Sequence, residues 1–132
     1  MSKIFQIPEA ASIAIHSMVL IANSKEIINA SHIAELTNSS KNHISKILHL
    51  LVKYDYLESI RGPKGGFTIN PKAKNTTLLE IYELIEGTLQ ANKCAVNVGK
   101  CPFKGCVFDG LTNRFTNEFR NFLSHKTIND IT

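Results

Sequence analysis

The fold is decided by residues 31–53, which read SHIAELTNSSKNHISKILHLLVK. Ser31 predicts the N-cap of a short helix, and the polar residues 37–40 interrupt the chain before a second helix over residues 41–53. The core-facing stripe of this second helix consists of Ile44, Ile47, Leu48, Leu51 and Val52. Two helices joined by a turn of about four residues are typical of a helix-turn-helix.

The solvent-facing side of the second helix carries candidate DNA-binding side chains. Hydrogen-bond donors are grouped in its first turns, at Lys41, Asn42, His43 and Lys46. In a helix-turn-helix, this end of the second helix enters the major groove and contacts base edges. Two ordinary amphipathic helices would show the same apolar spacing, so this pattern alone leaves both interpretations open.

A predicted β-hairpin follows the two helices and favours DNA binding. Residues 56–61 and 67–70 have strand character, and the glycine-rich residues 62–66 between them predict a turn. The turn region carries Arg61 and Lys64. A basic hairpin directly after a recognition helix is typical of a winged helix, in which the wing reaches the DNA backbone or the minor groove.

The positive charge of the chain is concentrated in the same region. The net charge is +4, but residues 41–74 contain seven cations and two carboxylates, so the remainder has a net charge of −1. Clustered cations suit a phosphate-binding surface, because neutralising phosphates and releasing counterions supplies most non-specific affinity for nucleic acid. A solvated cationic surface without a partner is the other interpretation.

The helices on either side complete a mainly α-helical fold. Pro8 predicts the first position of a mostly buried helix over residues 9–23, and a further helix, capped by Thr76 or Thr77, is predicted over residues 78–86. A long helix is predicted over about residues 107–124. Its apolar stripe consists of Phe108, Leu111, Phe115, Phe119 and Phe122. Such a stripe needs a partner surface, either a second copy in a two-fold dimer or the chain's own winged domain.

The three cysteines, Cys94, Cys101 and Cys106, lie within thirteen residues of one lysine- and glycine-rich segment. Thiolates are the nucleophilic and metal-binding form of cysteine, and the neighbouring lysines favour that form. An odd, clustered set of cysteines does not fit a secreted disulfide scaffold. The segment therefore indicates a metal, cluster or redox site.

Several classes of protein are disfavoured by the sequence. No apolar run approaches the roughly 18 to 20 residues that span a membrane, and no secretory signal is recognisable, so we expect a cytoplasmic protein without a membrane partner. The absence of a Cys-x-x-Cys motif or a glycine-rich cofactor loop argues against a thiol enzyme, and we expect no enzymatic activity. A winged domain that binds protein instead of DNA remains an alternative.

We expect one folded unit, with a winged helix-turn-helix in residues 1–75 and a cysteine loop and dimerisation helix in residues 76–132.

These motifs together resemble a known family over about residues 7–131. The wing sequence RGPKGGF (61–67), the helix LLEIYELIEG (78–87), the three-cysteine loop and the long terminal helix closely resemble the Rrf-type bacterial transcription regulators. The resemblance implies a homodimeric winged helix-turn-helix protein with crossed C-terminal helices that regulates transcription, for example as a repressor. A two-fold dimer would present two recognition helices to a palindromic double-stranded DNA operator. It also implies a 2Fe-2S or 4Fe-4S iron-sulfur cluster that controls DNA affinity and that a purified sample need not retain.

The resemblance assigns roles to individual residues of this chain. It places Cys94, Cys101 and Cys106 at the cluster ligands, and it places Arg61 at the wing arginine. Asn42, His43 and Lys46 fall at the major-groove positions. Two departures are visible: the cysteines are separated by six and four residues where the family commonly has about five and five, and Asp55 stands where the family often has glycine.

The fourth ligand of the predicted cluster is open. Asp109 stands where some family members have a histidine ligand, in the predicted first turn of the long helix, and His16 matches a ligand position on the first helix of a partner subunit in others. Glu9 and Ser12 share a polar stripe with His16, and solvent or a small molecule is a further candidate. A zinc site or a metal-free thiol sensor on the same fold is the alternative to a cluster.

Overall fold

The structure is a computed structural model that describes residues 2–90 and 101–132. Cys94 of the predicted metal-binding set lies outside these described residues, as do Lys93 and Lys100. In chain order the elements are α1 (Glu9–Asn23), α2 (Ala30–Thr37), α3 (Lys41–Lys53), β1 (Leu57–Ile60), β2 (Gly66–Ile69), a 3-10 turn (Pro71–Asn75), α4 (Leu78–Glu86), α5 (Leu111–His125) and α6 (Ile128–Ile131). The predicted mainly α-helical fold with a small β-hairpin is confirmed.

Helix α1 is the central element of the core. Its small and apolar residues Ala11, Ala14 and Met18 are fully buried, and the helix packs against α2, α3, α4, α6 and β2. Pro8 precedes α1 as its N-cap residue, one position earlier than predicted. The fixed φ of proline, −52° here, suits either position, so the sequence does not distinguish them.

Helices α2 and α3 form the predicted helix-turn-helix. The Ser40 hydroxyl accepts a hydrogen bond from the His43 backbone N–H at 3.1 Å, which begins α3 at the predicted residue. Asn38 ends α2 in the left-handed conformation, with φ 52°. The prediction that Ser31 caps α2 is wrong: the cap is Asn29, whose side chain accepts a hydrogen bond from the His32 N–H at 2.8 Å.

The wing is an antiparallel hairpin that is joined to the helical core. Leu57 pairs with Ile69 and Ile60 pairs with Gly66. Beyond this pair of strands, the backbones of Ile28 and Phe67 exchange two hydrogen bonds, with N···O distances of 3.3 and 2.8 Å. The wing is therefore held against the connection between α1 and α2.

The C-terminal residues return to the start of α4. Thr77 caps α4, as predicted, and forms an isolated bridge with Thr127. Beside this bridge, the Leu78 N–H donates to the Lys126 carbonyl at 2.9 Å and the Ile128 N–H donates to the Thr76 carbonyl at 3.0 Å. The short helix α6 that follows was not predicted.

The long helix begins later than predicted. Asp109 and Gly110 adopt left-handed conformations with φ of 52° and 70°, so α5 begins at Leu111 instead of about residue 107. Asp109 therefore precedes the helix and does not lie in its first turn. A third left-handed residue, Asp55, connects α3 to β1 with φ 65°, which is a conformation that glycine adopts without strain. Among the described residues, no helix is long and apolar enough to span a bilayer.

We expect Gly66→Ala to destabilise the protein by about 1–3 kcal/mol, because an added Cβ lies too close to a backbone that cannot move easily. The ideal Cβ position is 2.6 Å from the Ile28 carbonyl oxygen. Thermal and urea unfolding followed by circular dichroism measures the change. Gly105→Ala is the matched control, because no atom of the described residues lies within 4 Å of its added Cβ and its φ is not in the left-handed region. Equal stability of the two variants would contradict the proposed constraint on the wing.

Candidate functional site

The start of α3 presents the predicted DNA-binding side chains to solvent. Lys41, Asn42 and Lys46 are exposed, and His43 is half-buried beside the cap that Ser40 forms. The apolar face of the helix is turned inward, with Ile44 and Leu48 fully buried. The start of a helix also carries partial positive charge, which adds to the attraction of the lysines for an anionic partner.

The tip of the wing adds two further exposed cations, Arg61 and Lys64. The turn is closed by a hydrogen bond from the Gly65 N–H to the Gly62 carbonyl at 2.9 Å, and Gly62 has φ 112°. A Cβ on Gly65 would lie 2.1 Å from the Ile60 carbonyl oxygen. The glycines therefore permit a tight turn that carries both cations at its surface.

An aromatic contact places the wing beside the exposed side of α3. The His49 ring meets the Phe67 ring edge-on, with centroids 6.3 Å apart. The Nδ1 atom of His49 lies 2.7 Å from the Ser45 carbonyl, which fixes the ring on the helix. Sequence analysis did not identify this contact or the pairing of Ile28 with Phe67, because both depend on residues that are distant along the chain.

The two described cysteines, Cys101 and Cys106, are free and exposed. The pKa of the Cys106 thiol is lowered from its usual value, because the backbone N–H of Gly110, followed by that of Phe108, donates to the thiolate. The N–H of Asp109 has a smaller effect in the same direction, and the Asp109 carboxylate opposes it. The turn before α5 therefore stabilises a thiolate at Cys106.

This chemistry fits the ligands of a thiolate-bound metal or cluster, although the described residues do not complete a set. Hydrogen bonds from backbone N–H groups to sulfur are a feature of cluster ligation. Across residues 2–90 and 101–132, no group of three or more histidine, cysteine, aspartate or glutamate side chains converges as a metal site. A complete set would require Cys94, a second subunit, or both.

The candidate fourth ligands are separate in the described chain. His16 is exposed on α1, with its Nδ1 atom 2.6 Å from the Ser12 carbonyl, and both residues line an open groove of about 500 Å³. The described lining of this groove contains no cysteine. Glu9 is exposed in the first turn of α1. Asp109 is exposed before α5, and its carbonyl accepts a hydrogen bond from Arg114.

The apolar stripe of α5 divides between the interior and solvent. Phe119 meets Tyr82 and Phe5 edge-on, with centroid distances of 5.4 and 5.3 Å, and Leu123 is buried. The other predicted stripe residues on α5, Leu111, Phe115 and Phe122, are exposed by 37–56%. Phe108, which was predicted to belong to the stripe, precedes the helix and is 60% exposed. Packing onto the chain's own domain therefore accounts for part of the stripe and leaves a second apolar face that no described residue of the same protomer covers.

Comparison with known proteins identifies relatives in sequence. Residues 7–132 match the Rrf2 family, which is described as an iron-dependent transcriptional regulator. Over 69 residues the chain is 41% identical to a putative HTH-type transcriptional regulator, BadM, of Rhodopseudomonas palustris; the match covers 52% of this chain and 44% of BadM. Over 66 residues it is 39% identical to the HTH-type transcriptional regulator NsrR of Bacillus licheniformis, covering 50% of this chain and 44% of NsrR. The chain thus spans less than half the length of these two relatives.

Solved structures share the fold across nearly the whole chain. CymR, the global cysteine regulator of B. subtilis, superimposes with a TM-score of 0.74 at 18% identity and covers 97% of this chain and 96% of its own. IscR of T. potens superimposes with a TM-score of 0.70 at 16% identity, and the match covers 96% of this chain and 85% of IscR. These superpositions establish the winged helix-turn-helix fold, and the family match extends over all but the first six residues. The chain therefore belongs to the Rrf2 family of transcriptional regulators.

Proposed function

We propose that this chain is a homodimeric DNA-binding transcription regulator, without enzymatic activity, whose affinity for a palindromic operator depends on an iron-sulfur cluster held by the cysteine segment. The observation that carries the proposal is the exposed cationic start of α3 beside a basic wing. In this proposal residues 1–75 bind DNA, residues 76–132 sense and dimerise, and the protein acts in the cytoplasm.

The side chains on α3 and the wing suit contacts to the DNA bases and contacts to the phosphate backbone. Asn42 can form paired hydrogen bonds with adenine, whereas Lys46 can bind guanine or a phosphate. Arg61 and Lys64, at the wing tip, can bind phosphates or enter a minor groove. Lys41 and His43 complete the proposed surface at the start of α3.

The exposed face of α5 supports a two-fold dimer. Phe115 and Phe122 are seven residues apart on α5, are both more than half exposed and line the same groove. Contiguous apolar residues of this size on a surface indicate an interaction site. A two-fold partner would cover the same face on both chains and would present two α3 helices to a palindromic operator.

Cys101 and Cys106, together with Cys94, are the proposed metal ligands. A bound iron-sulfur cluster would form iron–sulfur bonds to these thiolates, and oxidation of the cluster or loss of iron would break those bonds. The backbone N–H groups of the turn before α5 support the thiolate of Cys106. We propose Asp109 or His16 as the fourth ligand. His16 would come from the partner subunit, because the described part of one chain contains no cluster of three or more potential metal ligands.

A metal-free thiol sensor is the second candidate. It is favoured by the same exposed Cys106, since a thiol with a lowered pKa in reach of solvent reacts readily with oxidants. A zinc site would use the same thiolates with one further ligand. Metal and sulfide content distinguishes the three, because only the iron-sulfur form contains sulfide and absorbs strongly in the visible range.

Substituting Lys46 and Arg61 together by glutamine should abolish specific DNA binding. If both side chains bind phosphate, the slope of log affinity against log salt should also fall by about 2 per half-site. Fluorescence anisotropy over a salt series, with a fragment selected by the unmodified protein, measures both quantities. Lys126→Gln is the control for loss of a positive charge outside the proposed surface, because Lys126 follows the end of α5; it removes one charge where the double variant removes two. Unchanged affinity of the double variant would favour the protein-binding alternative.

Phe115→Glu should convert the dimer to a monomer, because a carboxylate would be buried without a partner at the interface. We expect dimerisation to weaken roughly 30-fold or more, as for a central interface residue. Sedimentation velocity over a concentration series measures the change, and circular dichroism checks that the fold is retained. Asn113→Glu adds the same charge at another exposed position of α5 and should leave the dimer intact. A monomeric unmodified protein would contradict the proposal directly.

Anaerobically purified protein should contain iron and sulfide, and Cys94→Ala should lose them. The unmodified, cluster-loaded protein and Cys94→Ala should then differ in operator affinity by roughly 5- to 150-fold at matched salt, in the range of allosteric coupling. Lys104→Gln is the control within the same segment, and Asp109→Ala and His16→Ala test the fourth ligand through iron content. Equal operator affinities of the two proteins would contradict control of DNA binding by the cluster. Zinc without sulfide would favour the zinc-site alternative.

A further inference from the structure

Leu89, which follows α4 and precedes the cysteines, is held at three points. Its N–H donates to the Glu83 carboxylate at 2.7 Å, and its carbonyl accepts a hydrogen bond from the Arg120 guanidinium. Its side chain packs against the core and lines a cavity that Tyr82 and Phe119 also line. A residue outside any helix or strand is thus fixed by side chains of both α4 and α5.

The two polar contacts on Leu89 are stronger than those of an ordinary loop residue. Both involve a charged side chain, which makes a hydrogen bond shorter and stronger than a neutral one. Glu83, Leu89 and Arg120 are all partly buried, so water competes less for these contacts than it would at a fully exposed site. We name these three residues the Leu89 clamp.

The far end of the same stretch is also joined to α5. Arg114 donates to the carbonyl of Asp109, which directly precedes the helix in a left-handed conformation. Arg114 and Arg120 are six residues apart on α5, roughly 9 Å along the axis at 1.5 Å per residue. One helix therefore holds the chain on both sides of the cysteines through guanidinium groups bound to backbone carbonyls.

We propose that Glu83 and Arg120 are positioning residues that couple the state of the cysteines to α5 through the Leu89 clamp. The proposal rests on the proposed function, in which the cysteines are the sensor and α5 forms the dimer interface. Because Leu89 joins the core, α4 and α5, a change in the chain that follows it acts on the helix and is not absorbed locally. Within residues 2–90 and 101–132, the other connection between the cysteines and α5 is the turn at residues 106–110.

Hydrogen exchange on the metal-free, reduced full-length protein tests the clamp first. Arg120→Gln removes the charge-assisted hydrogen bond to the Leu89 carbonyl. It should raise the exchange rate of the Leu89 amide about tenfold, because Leu89 then separates more often from the Glu83 carboxylate that its N–H contacts. Arg120→Lys, which keeps the charge and one donor, should give an intermediate rate. Lys126→Gln, which removes a charge outside the clamp, should leave the Leu89 rate unchanged. Equal rates for Arg120→Gln and the unmodified protein would overturn the clamp.

The second measurement tests coupling, with iodoacetamide as the probe of the cysteines. Alkylation of the thiols should change the exchange of the α5 amides of residues 121–125, which lie far from the turn at residues 106–110, in the unmodified protein and in Lys126→Gln. It should leave these amides unchanged in Arg120→Gln. An equal response in Arg120→Gln, or no response in the unmodified protein, overturns the coupling. If Arg120→Gln does not fold, Glu83→Gln replaces it with the same expected outcomes. Neither measurement uses iron or DNA, so failure of the proposed cluster or operator binding is distinguished from failure of the clamp.

Discussion

The burial of one face of α3 is the constraint on which the rest of the structure depends. Ile44, Leu48 and Leu51 are fully buried and Ile47 nearly so, and each contributes roughly 1.5–3 kcal/mol through removal of apolar surface from water. Because these residues occupy one stripe of the helix, Asn42 and Lys46 are directed to solvent by geometry alone. The proposed DNA-binding surface is thus a consequence of the core, and its side chains can vary without altering the fold.

The position of the wing follows from a second, smaller constraint. Two strands alone are marginally stable in water, so the hairpin needs support from the rest of the chain. The backbone pairing of Ile28 with Phe67, the burial of Phe67 and the contact of its ring with His49 supply that support. Both exposed cations at the wing tip are therefore held at a fixed place relative to α3, which a bidentate or groove contact requires.

The accuracy of the sequence-based expectations depends on how local each feature is. The bounds of α3 and α4 were predicted correctly, because the apolar period and the capping residues Ser40 and Thr77 agree there. The cap of α2 was misplaced because Asn29 and Ser31 are both good capping residues, and only tertiary packing selects between them. The start of α5 was wrong because Asp109 adopts a left-handed conformation, which its sequence permits but does not require. The Leu89 contacts join residues up to 31 positions apart and have no sequence pattern.

Helix α5 belongs at once to the core of one protomer and to the surface that a second protomer would cover. Phe119 and Leu123 fix it against the chain's own core, while Phe115 and Phe122 remain exposed. A helix held on one side by close packing cannot change its exposed side independently, since interiors are packed too tightly to deform gradually. A displacement of α5 that begins at Arg114 or Arg120 would therefore move Phe115 and Phe122 with it. In the proposed dimer, that movement changes the separation of the two α3 helices, and the spacing of operator half-sites makes DNA affinity sensitive to it.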